Sequence, residues 1–134
     1  PRSMSGLAST DLDAVFGYFP ILATFRDRRA RALSGGQQQM LAIARGLLSR
    51  PRILMIDEPT LGLAPQLARD ILGRLRTLRD DWNISILLAE QNAALALQVT
   101  DRVYVLESGT VRLARAAAEL TLADVAASSY LGPS

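Results

Sequence analysis

Two short aliphatic runs, Ile53-Leu54-Met55-Ile56 and Ile84-Ser85-Ile86-Leu87-Leu88-Ala89, constrain the fold of this chain more than any other feature. Neither shows the apolar-polar alternation of a strand with one wet face. Continuous apolar runs of this length belong to strands buried on both faces, as in parallel sheets. Between them, Pro65 suits the first turn of a helix, and Leu67, Ile71, Leu75 and Leu78 continue an amphipathic pattern to about Asp81. Strands alternating with helices imply an α/β fold built on a parallel sheet covered on both faces.

The flanking segments extend this pattern. Asp11 can cap a short amphipathic helix through Val15, Phe16 and Phe19, stopped near Pro20. Residues 1–10 are small and polar, without periodicity, and read as a disordered lead. Met40, Ile43 and Leu47, with Leu41, Ala44 and Leu48, form a helical stripe that starts at Ser34, runs to about Ser49 and is ended by Pro51. Beyond the second strand, Asn92 to Val99 reads as a short helix and Arg102 to Glu107 as a third strand. Ser108-Gly109 is a two-residue turn signal, so Thr110 to Leu113 returns antiparallel as a hairpin. The alanine-rich tail from Ala114 to Leu131 reads as helical.

Composition narrows the chemistry. The chain has 134 residues, 49% hydrophobic and 21% charged, ordinary for one globular domain, and every basic residue is an arginine. With no cysteine and no histidine there is no disulfide framework, thiol nucleophile, Cys/His zinc site or Ser-His-Asp triad. Catalysis would fall to carboxylates, hydroxyls, amides, arginine or a hard cation such as Mg²⁺. The high pI reflects missing lysine and histidine more than a nucleic-acid surface. Arg26-Asp27-Arg28-Arg29-Ala30-Arg31 reads as a charged, solvated linker. No apolar stretch reaches the roughly 20 residues of a membrane span, and the N-terminus lacks the apolar core of a secretion signal. The expected setting is cytosolic.

Ser34-Gly35-Gly36 at a helix start is suited to anions. The first backbone N–H groups have no intrahelical partner, and the helix dipole directs its positive end the same way. The two glycines admit an anion close to the backbone, and the Ser34 hydroxyl adds a donor. Seventeen residues after Met40, the first aliphatic strand delivers Asp57-Glu58. Asp57 at a strand end can hold Mg²⁺, usually through water. Glu58 diverges from it and can polarise an attacking water.

The full run from Leu33 to Leu47 (Leu-Ser-Gly-Gly-Gln-Gln-Gln-Met-Leu-Ala-Ile-Ala-Arg-Gly-Leu), followed by Ile-Leu-Met-Ile-Asp57-Glu58-Pro59, resembles the signature and Walker B motifs of ATP-binding-cassette (ABC) ATPases. Within that superfamily, Leu61-Gly62-Leu63-Ala64-Pro65, Ala89-Glu90-Gln91-Asn92, the hairpin Tyr104 to Gly109 and a closing Tyr130-Leu131-Gly132 resemble the ATP-binding subunit of branched-chain amino acid importers. The resemblance spans about Asp11 to Gly132. It implies the C-terminal half of a P-loop (RecA-like) nucleotide-binding domain: residues 11–50 from the helical subdomain, residues 51–134 from the second half of the ATPase core.

Several roles follow from the resemblance alone. ATP and Mg²⁺ are the implied ligands. Ser34, Gly35, Gly36 and Gln37, with Gly62 of the D-loop, are implied to contact nucleotide held by a second ATPase subunit. Asp57 is the implied metal residue and Glu58 the base. Gln91 stands where most of the family carries a histidine; an amide can sense a γ-phosphate as a donor but cannot carry a proton. Ala64 replaces an aspartate usual in the D-loop. The implied partners are a second ATPase subunit and a transmembrane permease, at the cytoplasmic face of the cell membrane.

One part of the family pattern is missing. A Walker A loop wraps phosphates with backbone amides and a lysine, and this sequence contains no lysine. The chain is therefore expected to be inactive alone and to associate with itself or with a complementary N-terminal half. The alternative is a non-catalytic module that modulates an intact ABC ATPase. A nucleic-acid or repair ABC protein is disfavoured by the near-balanced charge of +2 and the importer-like loops.

Overall fold

The computed structural model describes residues 9–130, with side chains described for residues 11–128. The first eight residues of the expected disordered lead, and the Leu131-Gly132 end of the closing motif, lie outside the described residues. Ser9 and Thr10 already belong to the first helix. The chain divides into two compact units, one ending at Ala89 and the other beginning at Glu90.

In the first unit, α1 (Ser9–Tyr18) is followed almost at once by α2 (Pro20–Thr24). Asp11, expected as the cap of α1, sits inside its first turn, where a carboxylate favours the helix dipole, and binds Arg50 at 2.7 Å. Pro20 does more than end a helix. It takes the first position of α2, where a missing N–H costs nothing. A 3₁₀ turn (Ala30–Ala32) leads to α3 (Gly35–Leu47). Met40, Ile43, Ala44 and Leu47 of α3 are buried, and Leu47 is fully so. The helix stops two residues short of the expected Ser49. Arg50 adopts a left-handed conformation, φ 49°, consistent with the bias of a residue before proline against the helical region.

The expected strands form as a parallel pair, β1 (Ile53–Asp57) and β2 (Ser85–Ala89), in register from Ile53 opposite Ser85 to Asp57 opposite Ala89. The crossover is α4 (Pro65–Trp82), which buries Ala68, Ile71, Leu72, Leu75 and Leu78 in one stripe. Asn83, left-handed at φ 48°, closes it with N–H bonds to the Arg79 and Asp80 carbonyls. Tyr18 ties α1 to this helix: its hydroxyl donates to Asp81, and Arg74 donates to its carbonyl oxygen. Burial, and then the Asp81 carboxylate, raise the Tyr18 pKa above its ordinary value.

Covering on both faces, expected from the apolar runs, is found on one face only. Leu54 and Ile56 are buried, while Ile53 and Met55 on the other face of β1 are 61% and 72% exposed, and Leu87 of β2 is 54% exposed. No helix among the described residues is long and apolar enough to cross a membrane.

The second unit opens with α5 (Ala93–Val99), capped by Asn92, whose side-chain oxygen accepts from the Leu95 N–H. The hairpin β3 (Arg102–Glu107) and β4 (Thr110–Ala116) turns at Ser108 and Gly109, with φ 49° and 77°. Two consecutive positive φ values define the twisted two-residue turn that hairpins prefer, and glycine takes the second without steric cost. Arg112 is the extra residue of a bulge between the Val105–Leu113 and Leu106–Val111 pairs. The helical tail expected from Ala114 begins later. Ala114 and Ala116 pair with Tyr104 and Arg102, so strand pairing overrides the helix preference of alanine. After a 3₁₀ turn (Ala117–Glu119) the helix runs as α6 (Leu122–Tyr130). The third expected strand is thus in an antiparallel sheet of its own.

Two predictions follow from the packing. The exposed Ile53, Met55 and Leu87 form an apolar face beside unpaired strand edges, which favours association. Sedimentation should show concentration-dependent self-association of the chain, reduced by Met55→Lys with unchanged circular dichroism; a monomer at all concentrations would contradict it. The second concerns α6, where the Thr121 hydroxyl and N–H both donate to Asp124 and hold its pKa below the ordinary 3.8. A lowered folded pKa stabilises above 3.8, and that contribution is lost as pH falls below it. The melting-temperature advantage over Asp124→Asn should therefore be present at neutral pH and shrink below pH 3.8. A gap independent of pH would refute the bond's role.

Candidate functional site

The start of α3 is built by reciprocal capping. Ser34 has extended backbone geometry, its Oγ accepts from the Gln37 N–H at 3.4 Å, and Gln37 Oε1 accepts from the Ser34 N–H at 2.9 Å. The Gln38 N–H already bonds the Ser34 carbonyl at 2.8 Å. Capping therefore uses the Gln37 N–H and leaves the N–H groups of Gly35 and Gly36 as the terminal donors of the first turn. The Ser34 hydroxyl accepts in this arrangement and keeps its own hydrogen for another acceptor. Ser34 and Gly35 are exposed, and a Cβ on Gly35 would meet no atom within 4 Å.

Gly36 has a second requirement. It is buried, and a Cβ there would come 2.4 Å from Leu67 Cδ2 and 3.6 Å from Leu63 Cδ2. Only a hydrogen fits without moving Leu67. The glycine thereby lets the first turn of α3 seat against the loop before α4 and the first turn of α4. Leu63 and Leu67 are structural members of the site that the motif reading did not single out. A glycine inside a first helical turn was the available signal, since it costs helix stability unless something must approach closely.

That loop starts at the carboxyl end of β1. Asp57 is the last strand residue, exposed and level with Ala89 of β2. Glu58 leaves the strand in a left-handed conformation, φ 44°, a strained state for a non-glycine residue costing about 1 kcal/mol. Its N–H is bonded to the Ala89 carbonyl at 2.9 Å, and Pro59 and Thr60 behind it are buried. The strain is thus imposed by a fixed surrounding. It ends the pleat of β1 between Asp57 and Glu58, so Glu58 starts the loop rather than continuing the strand. Two tight turns follow, Leu61 N–H to Glu58 and Leu63 N–H to Thr60, with Gly62 exposed at φ 72°.

The donor set fits an anion and a hard cation in separate places. The α3 terminus presents the Ser34 hydroxyl and the Gly35 N–H on exposed residues, and Asp57 presents a single exposed carboxylate. No group of three acidic residues that could enclose a metal occurs among the described residues. A lone carboxylate matches Mg²⁺ that keeps waters and phosphate oxygens as its other ligands. Beside Ser34 and Gln37 lies a cleft of about 370 Å³, floored by Phe19, Met40 and Leu67 with Arg74 at its side. Gln91 belongs to the second unit, exposed between Glu90 and Asn92, where the Glu90 carboxylate accepts from the Asn92 N–H. Ser34, Gly35, Gly36, Gln37, Asp57, Glu58 and Gly62 all lie in the first unit.

A capped glycine-rich helix terminus packed against the loop from a parallel strand ending in Asp-Glu is an arrangement consistent with part of an α/β domain of the P-loop class. The profile of the ABC transporter family matches residues 8–61. The chain is 46% identical over 109 residues to the probable branched-chain amino acid transport ATP-binding protein LivF of Archaeoglobus fulgidus, covering 81% of this chain and 46% of that protein. It is 42% identical over 121 residues to BraG, a high-affinity branched-chain amino acid transport ATP-binding protein of Pseudomonas aeruginosa, covering 90% and 52%. Among solved structures, the ATP-binding cassette MJ1267 superposes with a TM-score of 0.79 at 28% identity, over 98% of this chain and 52% of that one. The chain belongs to the ABC transporter family, and its fold is that of part of an ATP-binding cassette. It spans about half the length of the curated relatives it matches.

Capping and ligand binding at Ser34 can be separated. Ser34→Ala should cost about 1 kcal/mol of stability through the lost cap. Ser34→Asp should retain stability, since aspartate caps equally well, yet weaken binding of any anion at the terminus by repulsion. Denaturant melts of both variants, and phosphate-analogue titrations of each mixed with a complementary N-terminal half, check this. Equal anion affinity for the aspartate variant would remove Ser34 from the binding surface.

Proposed function

We propose that this chain is part of the ATP-binding subunit of an ABC importer, of the kind that serves branched-chain amino acid uptake, and that it contributes half of each nucleotide site. The observation that carries the proposal is the joining of Ser34-Gly35-Gly36 to the Asp57-Glu58 loop within one packed unit, through Gly36 against Leu63 and Leu67. The similarity to LivF and BraG supports the importer branch. Residues 11–50 would serve as part of the helical subdomain and residues 51–134 as the second half of the ATPase core.

Each residue has a separate task in this reading. Bound Mg-ATP supplies the phosphoanhydride to be cleaved and the cation that neutralises its charge. Asp57 would hold the cation through water. Glu58, the left-handed residue just past the strand end, would orient and accept a proton from the attacking water. Gln91 would report the γ-phosphate as a hydrogen-bond donor. Ser34, Gly35, Gly36 and Gln37, with Gly62, would close on nucleotide held by a second ATPase subunit, their N–H groups and hydroxyl facing phosphate.

The partners follow from that division of labour. The phosphate loop and its lysine would be supplied from outside these 134 residues, which contain no lysine. Solved relatives include cbiO1 of Clostridium perfringens, described as part of the ABC transporter complex cbiONQ, and a dimeric cassette MJ0796 bound to ADP and phosphate. By the same arrangement this chain would work in a pair of ATPase subunits beneath a transmembrane permease, at the cytoplasmic face of the membrane.

A calorimetric titration with Mg-ATP, run beside steady-state phosphate release, tests this reading. The chain alone should show neither saturable binding nor turnover. Mixed with a complementary half bearing the phosphate loop, it should gain both, with Asp57→Ala weakening Mg-dependent binding and Glu58→Gln abolishing turnover but not binding. Turnover by the chain alone that survives Glu58→Gln would sink the assignment.

A further inference from the structure

The motif residues leave one strongly charged surface unused. Residues 26–31 hold four arginines against one aspartate, a local charge of +3, while the other eleven arginines and twelve carboxylates leave the rest of the chain at −1. The basic character of the chain is therefore the property of one short segment. All four arginines are exposed. Among the described residues none of the four guanidinium groups is in an ion pair, and Arg28 stacks over the Phe25 ring at 5.3 Å. Asp27 carries a single negative charge and offsets one of the four.

The segment is also held in shape. Its ends are anchored by the buried Leu22 and Leu33. Between them the chain makes two tight reversals, Arg28 N–H to Phe25 and then the 3₁₀ turn with Ala32 N–H to Arg29 and Leu33 N–H to Ala30. These turns compress the segment, so the four exposed arginines arise from one short stretch of chain anchored at both ends. Uncompensated like charge held together raises the free energy of the isolated fold unless an anionic surface relieves it. Exposed Ile21, in the helix just before the patch, adds an apolar contact at its margin.

We propose that Arg26, Arg28, Arg29 and Arg31 form a contact surface for the anionic lipid headgroups of a bilayer. The function proposed above contributes only the expected location; the patch itself rests on charge, exposure and anchoring. A cluster of four basic residues is the size that anionic leaflets attract, and a guanidinium suits phosphate bidentately. An apolar side chain beside the cluster fits the interface of a bilayer rather than a nucleic-acid groove. The ring that could stack on bases, Phe25, is half-buried and already covered by Arg28.

Flotation of the chain with vesicles of phosphatidylglycerol and phosphatidylcholine tests the proposal, with phosphatidylcholine vesicles as control. Binding should require the anionic lipid, weaken as salt is raised, and fall about 100-fold in R28Q/R29Q/R31Q, taking roughly fivefold per charge removed. R45Q/R69Q removes two exposed arginines elsewhere and should stay near the parent; circular dichroism verifies that both variants fold. Equal binding to neutral vesicles, displacement from anionic vesicles by inorganic phosphate at matched concentration, or tighter binding to duplex DNA than to anionic vesicles would each overturn it. The assay contains neither nucleotide nor permease, so its failure leaves the ATPase reading standing, and failure of the ATP titration leaves the lipid surface standing.

Discussion

The five-residue parallel pairing of β1 with β2 is the constraint on which the first unit depends. Two parallel strands cannot be joined by a tight turn, so the chain between them must cross over, and α4 is that crossover. Once α4 lies on the sheet, its apolar stripe and that of α3 cover one face, over Leu54 and Ile56. The same pairing places the carboxyl ends of both strands side by side, so Asp57 stands level with Ala89 and the Glu58 N–H can reach the Ala89 carbonyl. In open α/β sheets, this carboxyl edge is where ligands bind. The carboxylate pair is therefore where it is because of strand register.

Local strain and close packing then set the site's internal geometry. Glu58 would relax toward ordinary backbone if its N–H bond and the buried Pro59 and Thr60 did not hold it. Gly36 would be replaceable by alanine if Leu67 were not against it. Both cost stability locally, and both lie where the sequence places a chemical task. Their connection matters more than either alone: Leu63, within the loop that starts at Glu58, touches the place where a Gly36 side chain would sit. A shift of the carboxylate loop would be felt at the start of the signature helix through that packing.

The parts legible from sequence are those fixed by short-range chemistry. The Ser34 cap, the bounds of β1 to within one residue, the Pro65 start of α4 and the Ser108-Gly109 turn each follow from a few adjacent residues. The parts that escaped depend on partners distant in the chain. Ala114 and Ala116 are helix formers by composition and strand residues by pairing with Tyr104 and Arg102. Continuous aliphatic strands announce burial on both faces, yet the sequence cannot say which chain covers the second face, and here Met55 and Leu87 are open. In the site, residue types were readable, whereas the Glu58 strain and the Leu67 contact were not, since both arise from how the loop is held. The Arg26–Arg31 segment was legible as charge but not as a surface, because its anchoring by Leu22 and Leu33 is a tertiary fact.

The capping box at α3 shows how one set of atoms can serve stability and binding together. A helix terminus that satisfied all its first-turn donors internally would be more stable and would have nothing to offer a phosphate. One that satisfied none would fray. Here Ser34 and Gln37 satisfy each other and stop there, and the two residues between them are the glycines. With no side chains of their own, Gly35 and Gly36 contribute only backbone N–H groups, one opening outward and one packed beneath. The order Ser-Gly-Gly-Gln is thus a division of the first turn: its outer members hold the helix together, and its inner members remain available to an anion. Exchanging the roles would fail in both directions, since a side chain at Gly36 displaces Leu67 and a glycine at Gln37 removes the reciprocal bond. The motif is short because the physical problem it solves occupies a single helical turn.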